Sequence, residues 1–162
     1  MTQRERTYTW EDPTELAALG LQRPGLEYLR AIVDGELPHP PICATIGFRI
    51  AEVDEGRCVI EMECGEHQYN PIGTVHGSVI VAALDSAAGS AVHTTLPAGV
   101  GYTTVSLTTA FLRPARFDTG TLRCEGRIIQ SGRRIALSDA QLRDSAGRLL
   151  AQAQATSMIL RD

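Results

Sequence analysis

One stretch of the chain, residues 70–95, holds the residue types that acyl chemistry needs. His76-Gly77-Ser78 follows a Pro/Gly turn and precedes a long apolar run, so a helix N-terminus with unpaired N–H groups is expected there. A single acid, Asp85, lies inside that run. A carboxylate can activate a water or attack a carbonyl, and a helix N–H can bind the oxyanion that forms. This combination predicts a site for acyl chemistry.

The apolar run predicts one helix, from about Gly77 to about Thr94, that is buried on all sides. An unpaired carboxylate is costly in such a place, so Asp85 is either catalytic or paired with a neighbouring backbone group or Arg. Asp85 follows Gly77 by eight residues, which is about 12 Å of helix. One helix therefore cannot bring both groups to a single carbonyl, and a second copy of the chain has to supply one of them.

The remaining sequence predicts the elements that hold this helix. Two short helices are expected at residues 12–20 and 24–35. Residues 36–41 are rich in proline and are expected to be extended, either as a connector or as one wall of a pocket. From Ile42 onward, alternation predicts two strands before the long helix and four after it. Short turns between consecutive strands imply one antiparallel sheet that can curl around the helix, with an edge for a second copy to cover.

Composition excludes several classes of protein. A formal net charge of −4 and a pI of about 5.6 argue against a nucleic-acid partner. No apolar run approaches the roughly 20 residues that cross a bilayer, and the polar N-terminus is unlike a signal peptide. The four cysteines form no CxxC pair, so neither a zinc site nor a redox motif is indicated. We therefore expect reduced thiols in a cytoplasmic protein that uses no metal and no cofactor.

Several segments together carry a family resemblance. They are Asn70–Ser78 with Leu84-Asp85, Gly101–Thr104, Phe111–Pro114, Gly126–Arg134 and the turn Asp144–Leu149. In these segments the chain resembles the hotdog-fold acyl-CoA thioesterases of the phenylacetic-acid-degradation (PaaI-like) type. The resemblance covers roughly residues 38 to 160. One departure is Ser78, which stands where the family commonly has a second glycine.

The resemblance implies an α+β hotdog fold, in which a long central helix is wrapped by a curved antiparallel sheet of about six strands. Residues 38–162 would form this thioesterase domain, and residues 1–37 a helical extension with two short helices. The family forms homodimers that often pair into tetramers, with active sites at the dimer interface. We therefore expect a homo-oligomer, with an acyl-CoA substrate as its small-molecule partner.

The resemblance also implies roles for single residues. Asp85 matches the general base or nucleophile, and Gly77 matches the residue whose N–H binds the thioester oxygen. Asn70 and His76 match polar residues of the site, and Thr104 matches a residue that positions the attacking water. Two alternatives stay open for His76: it is a general base, or its ring hydrogen-bonds the turn.

Substrate binding needs further groups. Coenzyme A carries phosphates, which basic side chains bind, and Arg113 and Arg133 are candidates. Ser78 would lie close to the bound acyl group. His93 is expected to be a bystander, and His39 is either a loop residue or a substrate contact.

The residues and the resemblance together favour hydrolysis of an acyl- or aryl-acyl-CoA thioester to a free acid and coenzyme A. One alternative is a hydratase or dehydratase of acyl thioesters on the same fold. Another is an acyl-CoA-binding regulator without catalysis, which would call for a DNA-binding module that the first 37 residues do not convincingly provide.

Overall fold

The computed structural model describes residues 2–161, so Met1 and Asp162, at the outer ends of the two predicted domain ranges, lie outside the described residues. Four helices and six strands are present in that part of the chain. In order they are α1 (Pro13–Gln22), α2 (Gly25–Val33), α3 (Pro41–Ile46), β1 (Phe48–Asp54), β2 (Arg57–Met62), α4 (Gly77–His93), β3 (Gly101–Phe111), β4 (Leu122–Ser131), β5 (Ile135–Arg143) and β6 (Leu149–Leu160).

The six strands form one antiparallel sheet in the order β1-β2-β4-β5-β6-β3. The sheet curves around α4, whose apolar side chains face the inner side chains of the strands. The predicted α+β hotdog fold, with a long helix wrapped by six strands, is confirmed. Alternation along the strands explains it, since every second side chain points inward to the same helix.

Helix α4 lies very close to the sheet at Gly126 of β4. A Cβ atom at this position would lie 2.1 Å from the carbonyl oxygen of Ala87 and 2.7 Å from the amide nitrogen of Ala88. No side chain fits there, because the helix backbone itself occupies the space. The absence of a side chain at residue 126 therefore sets the distance between helix and sheet.

Replacing Gly126 by Ala is expected to lower the free energy of unfolding by about 1–3 kcal/mol, because overpacking pushes α4 away from β4. Urea unfolding followed by circular dichroism measures this change. Gly101→Ala is the matched control, since its Cβ would only reach Leu160 at 3.8 Å. Equal unfolding midpoints for the two variants would contradict the close approach.

The prediction for residues 36–46 is wrong in one part. The strand expected from Ile42 is instead the short helix α3. Pro41 stands at the first helical position, where its fixed φ is favourable, and Gly47 ends the helix in the left-handed region at φ 93°. Six residues are too few to show helical periodicity, so the alternation that continues from Phe48 masked this helix.

The prediction that α4 is buried on all sides is also wrong for a single chain. One face of the helix, formed by Val81, Ala82, Asp85 and Ser86, is only half-buried. The sheet curls around the other faces and leaves this one open. The neighbouring strand β3 is an edge strand that pairs only with β6.

The N-terminal helices share the core of the sheet. Leu16 of α1 and Leu29 and Ile32 of α2 belong to the same apolar cluster as the inner residues of the strands. Helix α2 packs against β1, which is the strand at the edge of the sheet opposite to β3.

The cysteines are all free thiols. Burial raises the pKa of Cys43 and of Cys58 to about 12 and that of Cys64 to about 11. Burial also raises the pKa of Cys124. The reactive thiolate is therefore scarce at neutral pH. None of the helices in residues 2–161 combines the length and the apolar character needed to cross a bilayer.

Candidate active site

Asp85 lies in a cavity of about 450 Å³ between α4, the strands β1, β2 and β3, and helix α3. The wall on the side of α3, β1 and β2 is mainly apolar and consists of Pro40, Ile42, Cys43, Phe48, Ile50 and Ile60. The wall on the side of α4 and β3 is polar and includes Asp85, Ser86, Ser90, His93, Tyr102 and Thr104. A cavity with one apolar wall and a few polar groups is typical of a small-molecule site.

The carboxylate of Asp85 has no structural partner in this cavity. Its Oδ1 atom is buried and makes no hydrogen bond to any residue between 2 and 161. An unpaired buried oxygen is costly. The sequence left open a structural ion pair or a backbone hydrogen bond for Asp85, and at this oxygen neither is present.

A β-bulge in β3 brings Thr104 into the same cavity. The pairing of β3 with β6 shifts between Thr104 and Ser106, so Val105 is an extra residue without a pairing partner. Because side chains alternate along a strand, the extra residue keeps Thr104 on the same face as Leu107, which packs against the core. The bulge therefore places a hydroxyl near Asp85.

His93, expected to be a bystander, also lines this cavity. Its ring lies between two tyrosines, with centroid distances of 5.6 Å to Tyr28 and 5.5 Å to Tyr102. Burial lowers the pKa of His93, so its imidazole is neutral at pH 7. Burial, followed by the nearby charge of Asp85, raises the pKa of the Tyr102 hydroxyl.

The lowered pKa of His93 predicts acid sensitivity of the fold. The unfolded chain binds a proton at this histidine below about pH 6.5, whereas the folded chain binds it only at a lower pH. The stability is thus fully present above that pH and falls as pH drops toward the folded pKa. His93→Phe keeps a ring between the tyrosines and is expected to lose less unfolding free energy between pH 7.5 and 5.5 than the wild type. Urea unfolding at each pH measures the difference, and parallel losses would contradict it.

His76 caps the N-terminus of α4. Its Nδ1 atom accepts a hydrogen bond from the amide of Ser78 at 3.1 Å and lies 2.8 Å from the Ser78 hydroxyl. This contact corresponds to the second alternative for His76, in which the ring hydrogen-bonds the turn. The amide of Gly77, the first helical residue, meets no acceptor in the described part of the chain. A free N–H at a helix N-terminus carries a partial positive charge.

Asn70 organises the loop before the helix. Its Oδ1 accepts from the amides of Ile72 and Thr74, both at 3.1 Å, and its Nδ2 donates to the Thr74 hydroxyl at 2.8 Å. These bonds are those of an Asx turn, in which asparagine holds its own loop. The amide of His76 then donates to the Gln68 carbonyl at 2.8 Å, so the loop fixes where α4 begins.

A second hollow, of about 310 Å³, lies beside the helix N-terminus. Asn70, Gly77, Phe111 and Arg113 contribute to its lining. The Phe111 ring stands over Gly77, since a Cβ there would lie 3.4 Å from its Cζ. Arg113 donates to the carbonyl of Leu149 at 2.7 Å and is otherwise exposed.

The structure divides the predicted site residues between the two hollows. Asp85 and Thr104 share the cavity, whereas Gly77, Asn70 and Arg113 share the hollow at the helix N-terminus. Neither of these two hollows contains both Asp85 and Gly77. This matches the separation of about 12 Å that their spacing on one helix requires.

Other candidates lie elsewhere. Arg133 follows β4 in the turn before β5, at the end of the sheet opposite to Arg113, and lines neither hollow. His39 also lines neither, although its Nδ1 is buried without a partner in the described chain. Within residues 2–161, no cluster of three or more His, Cys, Asp or Glu side chains could hold a metal ion.

Sequence reasoning missed several residues of the site. Tyr102 and Phe111 lie inside segments that carry the family resemblance, but no role was expected for either. Ile42 and Cys43 of α3 were missed because that helix was predicted as a strand. For the buried amide of Gln68, which accepts from the Gly65 amide and donates to the Ile46 carbonyl, no local sequence signal exists.

Comparison with known proteins identifies the family. Residues 72–151 match the family model of the thioesterase superfamily. A solved structure from Ralstonia eutropha JMP134, a putative thioesterase and phenylacetic acid degradation-related protein, is 33% identical, with a TM-score of 0.73. The match covers 81% of this chain and 98% of that one. The chain therefore belongs to the thioesterase superfamily.

Two more distant matches are a sequence relative and a solved structure. A putative esterase of Saccharolobus solfataricus is 28% identical over 116 residues, which is 72% of this chain and 81% of that protein. A Streptococcus mutans UA159 protein solved with bound acetyl CoA is 21% identical, with a TM-score of 0.65 over 72% of this chain and 92% of that one. At 21% identity the likeness concerns the fold alone.

Proposed function

We propose that the protein is an acyl-CoA thioesterase that hydrolyses a thioester to a free acid and coenzyme A. The observation that carries the proposal is the buried Oδ1 of Asp85, which has no hydrogen-bond partner among residues 2–161 and belongs to a residue that lines a cavity of suitable size. Membership of the thioesterase superfamily supports it. So does the acetyl CoA bound to a protein of the same fold.

Asp85 promotes attack on the carbonyl carbon of the thioester in one of two ways. As a general base it takes a proton from a water held by Thr104, and the hydroxide attacks the carbonyl. As a nucleophile its carboxylate attacks directly and forms an anhydride that water then hydrolyses. In both routes the carbon–sulfur bond breaks, coenzyme A leaves as the thiol after gaining a proton, and the free acid is released.

The oxyanion needs a donor, and we assign this role to the Gly77 amide. It has no acceptor within residues 2–161 and stands at the positive end of α4. Because Gly77 has no side chain, the thioester can approach this N–H beside the Phe111 ring. His76 and Asn70 act as positioning residues, since their hydrogen bonds hold the first turn and the preceding loop. Ser78 completes this turn through its contact with His76.

Two copies of the chain form the site. Asp85 and Gly77 lie in separate hollows of one chain, so Asp85 of one copy faces Gly77 of the other. The half-buried face of α4 and the exposed edge of β3 offer the surface for this contact. Pairing of two edge strands would also protect an otherwise open sheet edge.

Arg113 is the proposed ligand of the coenzyme A phosphates, because it is exposed beside the Gly77 hollow. The role of Arg133 as a second phosphate ligand stays a prediction, and no contact among residues 2–161 supports it.

A hydratase, the alternative function on the same fold, would need a histidine and an acid that both reach one carbon atom of the substrate. His93 shares the cavity with Asp85, but eight residues of helix separate them by about 12 Å.

Thiol release from a panel of acyl-CoAs tests the proposal. Acetyl-, octanoyl-, benzoyl-, phenylacetyl- and palmitoyl-CoA are incubated with the protein and a colorimetric thiol reagent. The raised pKa values of the protein's own thiols keep the background low. Release from at least one substrate is expected. Binding without release would instead favour a regulator, and loss of enoyl absorbance without release would favour a hydratase.

A further inference from the structure

Three aromatic rings close the Asp85 cavity toward the C-terminal end of α4. Tyr28 of α2, His93 of α4 and Tyr102 of β3 pack against one another in this order, with neighbouring ring planes tilted by 50° and 45°. We call these three rings the aromatic floor. His93 and Tyr102 face the cavity, and Tyr28 lies buried behind His93. The floor is uncharged at neutral pH, since burial lowers the pKa of His93.

Gly89 makes room for the floor. A Cβ atom at this position would lie 2.9 Å from both the Cε2 and Oη atoms of Tyr102, so the tyrosine lies directly on the helix backbone. Gly89 follows Asp85 by one turn of helix, or about 6 Å. The Tyr102 ring therefore occupies space that would otherwise extend the cavity beyond the acid.

The N-terminal extension holds the floor in place. Gly25, at the start of α2, lies so close to His93 that a Cβ there would be 1.9 Å from the His93 carbonyl oxygen. The Gly25 amide donates to the Leu96 carbonyl at 3.0 Å. Helix α2 is thus fixed to the end of α4, and the buried Tyr28 is held beside His93.

Helix α3, which follows the extension, supplies a side wall that the extension contacts through Arg6. Ile42 and Cys43 of α3 line the cavity opposite Asp85. Arg6 donates to the carbonyls of Thr45 and Ala44 at the end of that helix. Residues that precede β1 in the chain therefore form or support two sides of the cavity.

We propose that the aromatic floor, held by the N-terminal extension, limits the length of the acyl group to short and medium chains or a single aryl ring. The cavity is lined along α4 from Asp85 to His93, which is about 12 Å of helix, and Tyr102 lies beside Gly89 about halfway along this wall. An octanoyl or a phenylacetyl group fits within this length, whereas an extended palmitoyl chain exceeds it. The inference rests on the proposed thioesterase function. It assigns Tyr102 and Gly89 as specificity-determining residues and gives the N-terminal helices a role.

Two substitutions with opposite effects test this proposal. Tyr102→Ala removes the ring and is expected to raise the ratio of kcat/KM for palmitoyl- over octanoyl-CoA by about tenfold or more, the size of effect that one or a few methylene contacts have. Gly89→Ala pushes the ring into the cavity and is expected to lower the ratio for octanoyl- over acetyl-CoA. Tyr102→Phe keeps the ring and serves as the control, with the wild-type ratio expected. If Tyr102→Ala does not fold, Tyr102→Leu provides the same comparison.

A binding measurement separates this inference from the thioesterase proposal. Calorimetry with S-alkyl-CoA thioethers, which cannot be hydrolysed, reports the length of the cavity without catalysis. Binding of the octyl but not the hexadecyl thioether, in a protein that hydrolyses none of the acyl-CoAs, would support the limit on acyl length and contradict the proposed thioesterase activity. Equal use of palmitoyl- and octanoyl-CoA by the wild type, or an unchanged ratio in the folded Tyr102→Ala or Tyr102→Leu variant, would contradict the proposal that the aromatic floor limits acyl length.

Discussion

Asp85→Asn is expected to lower kcat for thioester hydrolysis by about 10²–10⁴-fold, the usual contribution of a positioned base. Asparagine has nearly the same shape but neither takes up a proton nor forms an anhydride. The Asp85 carboxylate oxygen has no hydrogen-bond partner within residues 2–161. The substitution therefore breaks no structural bond at that oxygen, and the fold should persist. Steady-state thiol release measures the loss.

Asp118→Asn is the matched control, because Asp118 is exposed and lines neither hollow. It should keep the wild-type rate. Thermal unfolding of both variants shows whether the loss belongs to chemistry and not to folding. Full activity in a folded Asp85→Asn protein would refute the role of Asp85 as base or nucleophile.

Gly77→Pro is expected to lower kcat by about 10²–10³-fold, which is the cost of losing one oxyanion donor. Proline lacks the N–H but suits the first position of a helix. The preceding residue, His76, has φ −65° and ψ 141°, a conformation that proline favours in the residue before it. The substitution therefore removes the donor at little cost to the helix.

Gly77→Ala distinguishes the effect of losing the amide donor from the effect of filling the space beside it. Alanine keeps the N–H, and its Cβ would only touch the Phe111 ring at ordinary contact distance. We expect Gly77→Ala to raise KM by crowding the thioester while retaining much more of kcat than Gly77→Pro. Equal kcat values for the two variants would mean that this amide does not bind the oxyanion.

The sequence predicted the elements with strong local signals. The apolar run gave α4 nearly its observed limits, because almost every residue from Val79 to Val92 is apolar or small. Alternation and short turns predicted the six strands and the antiparallel sheet. The spacing of Gly77 and Asp85 predicted that these two residues of one chain lie too far apart to act on the same carbonyl, since the rise of a helix per residue is fixed.

Other features depend on contacts that local patterns do not encode. Helix α3 is too short for a helical periodicity to be visible in its sequence. The bulge at Val105 depends on its pairing with β6, so simple alternation assigns Thr104 and Phe111 to opposite faces of β3. The contact between the Tyr28 and His93 rings joins two helices that are far apart in sequence. Such contacts come from the tertiary structure alone.

A mixing experiment tests most directly whether two chains form one site. Asp85→Asn and Gly77→Pro, each inactive alone, are unfolded together and refolded as a mixture. In a two-fold dimer, a mixed pair contains one site with both native residues, so activity should recover to about a quarter of the wild type. If the mixture stays as inactive as the separate variants, Asp85 and Gly77 do not act across a subunit interface.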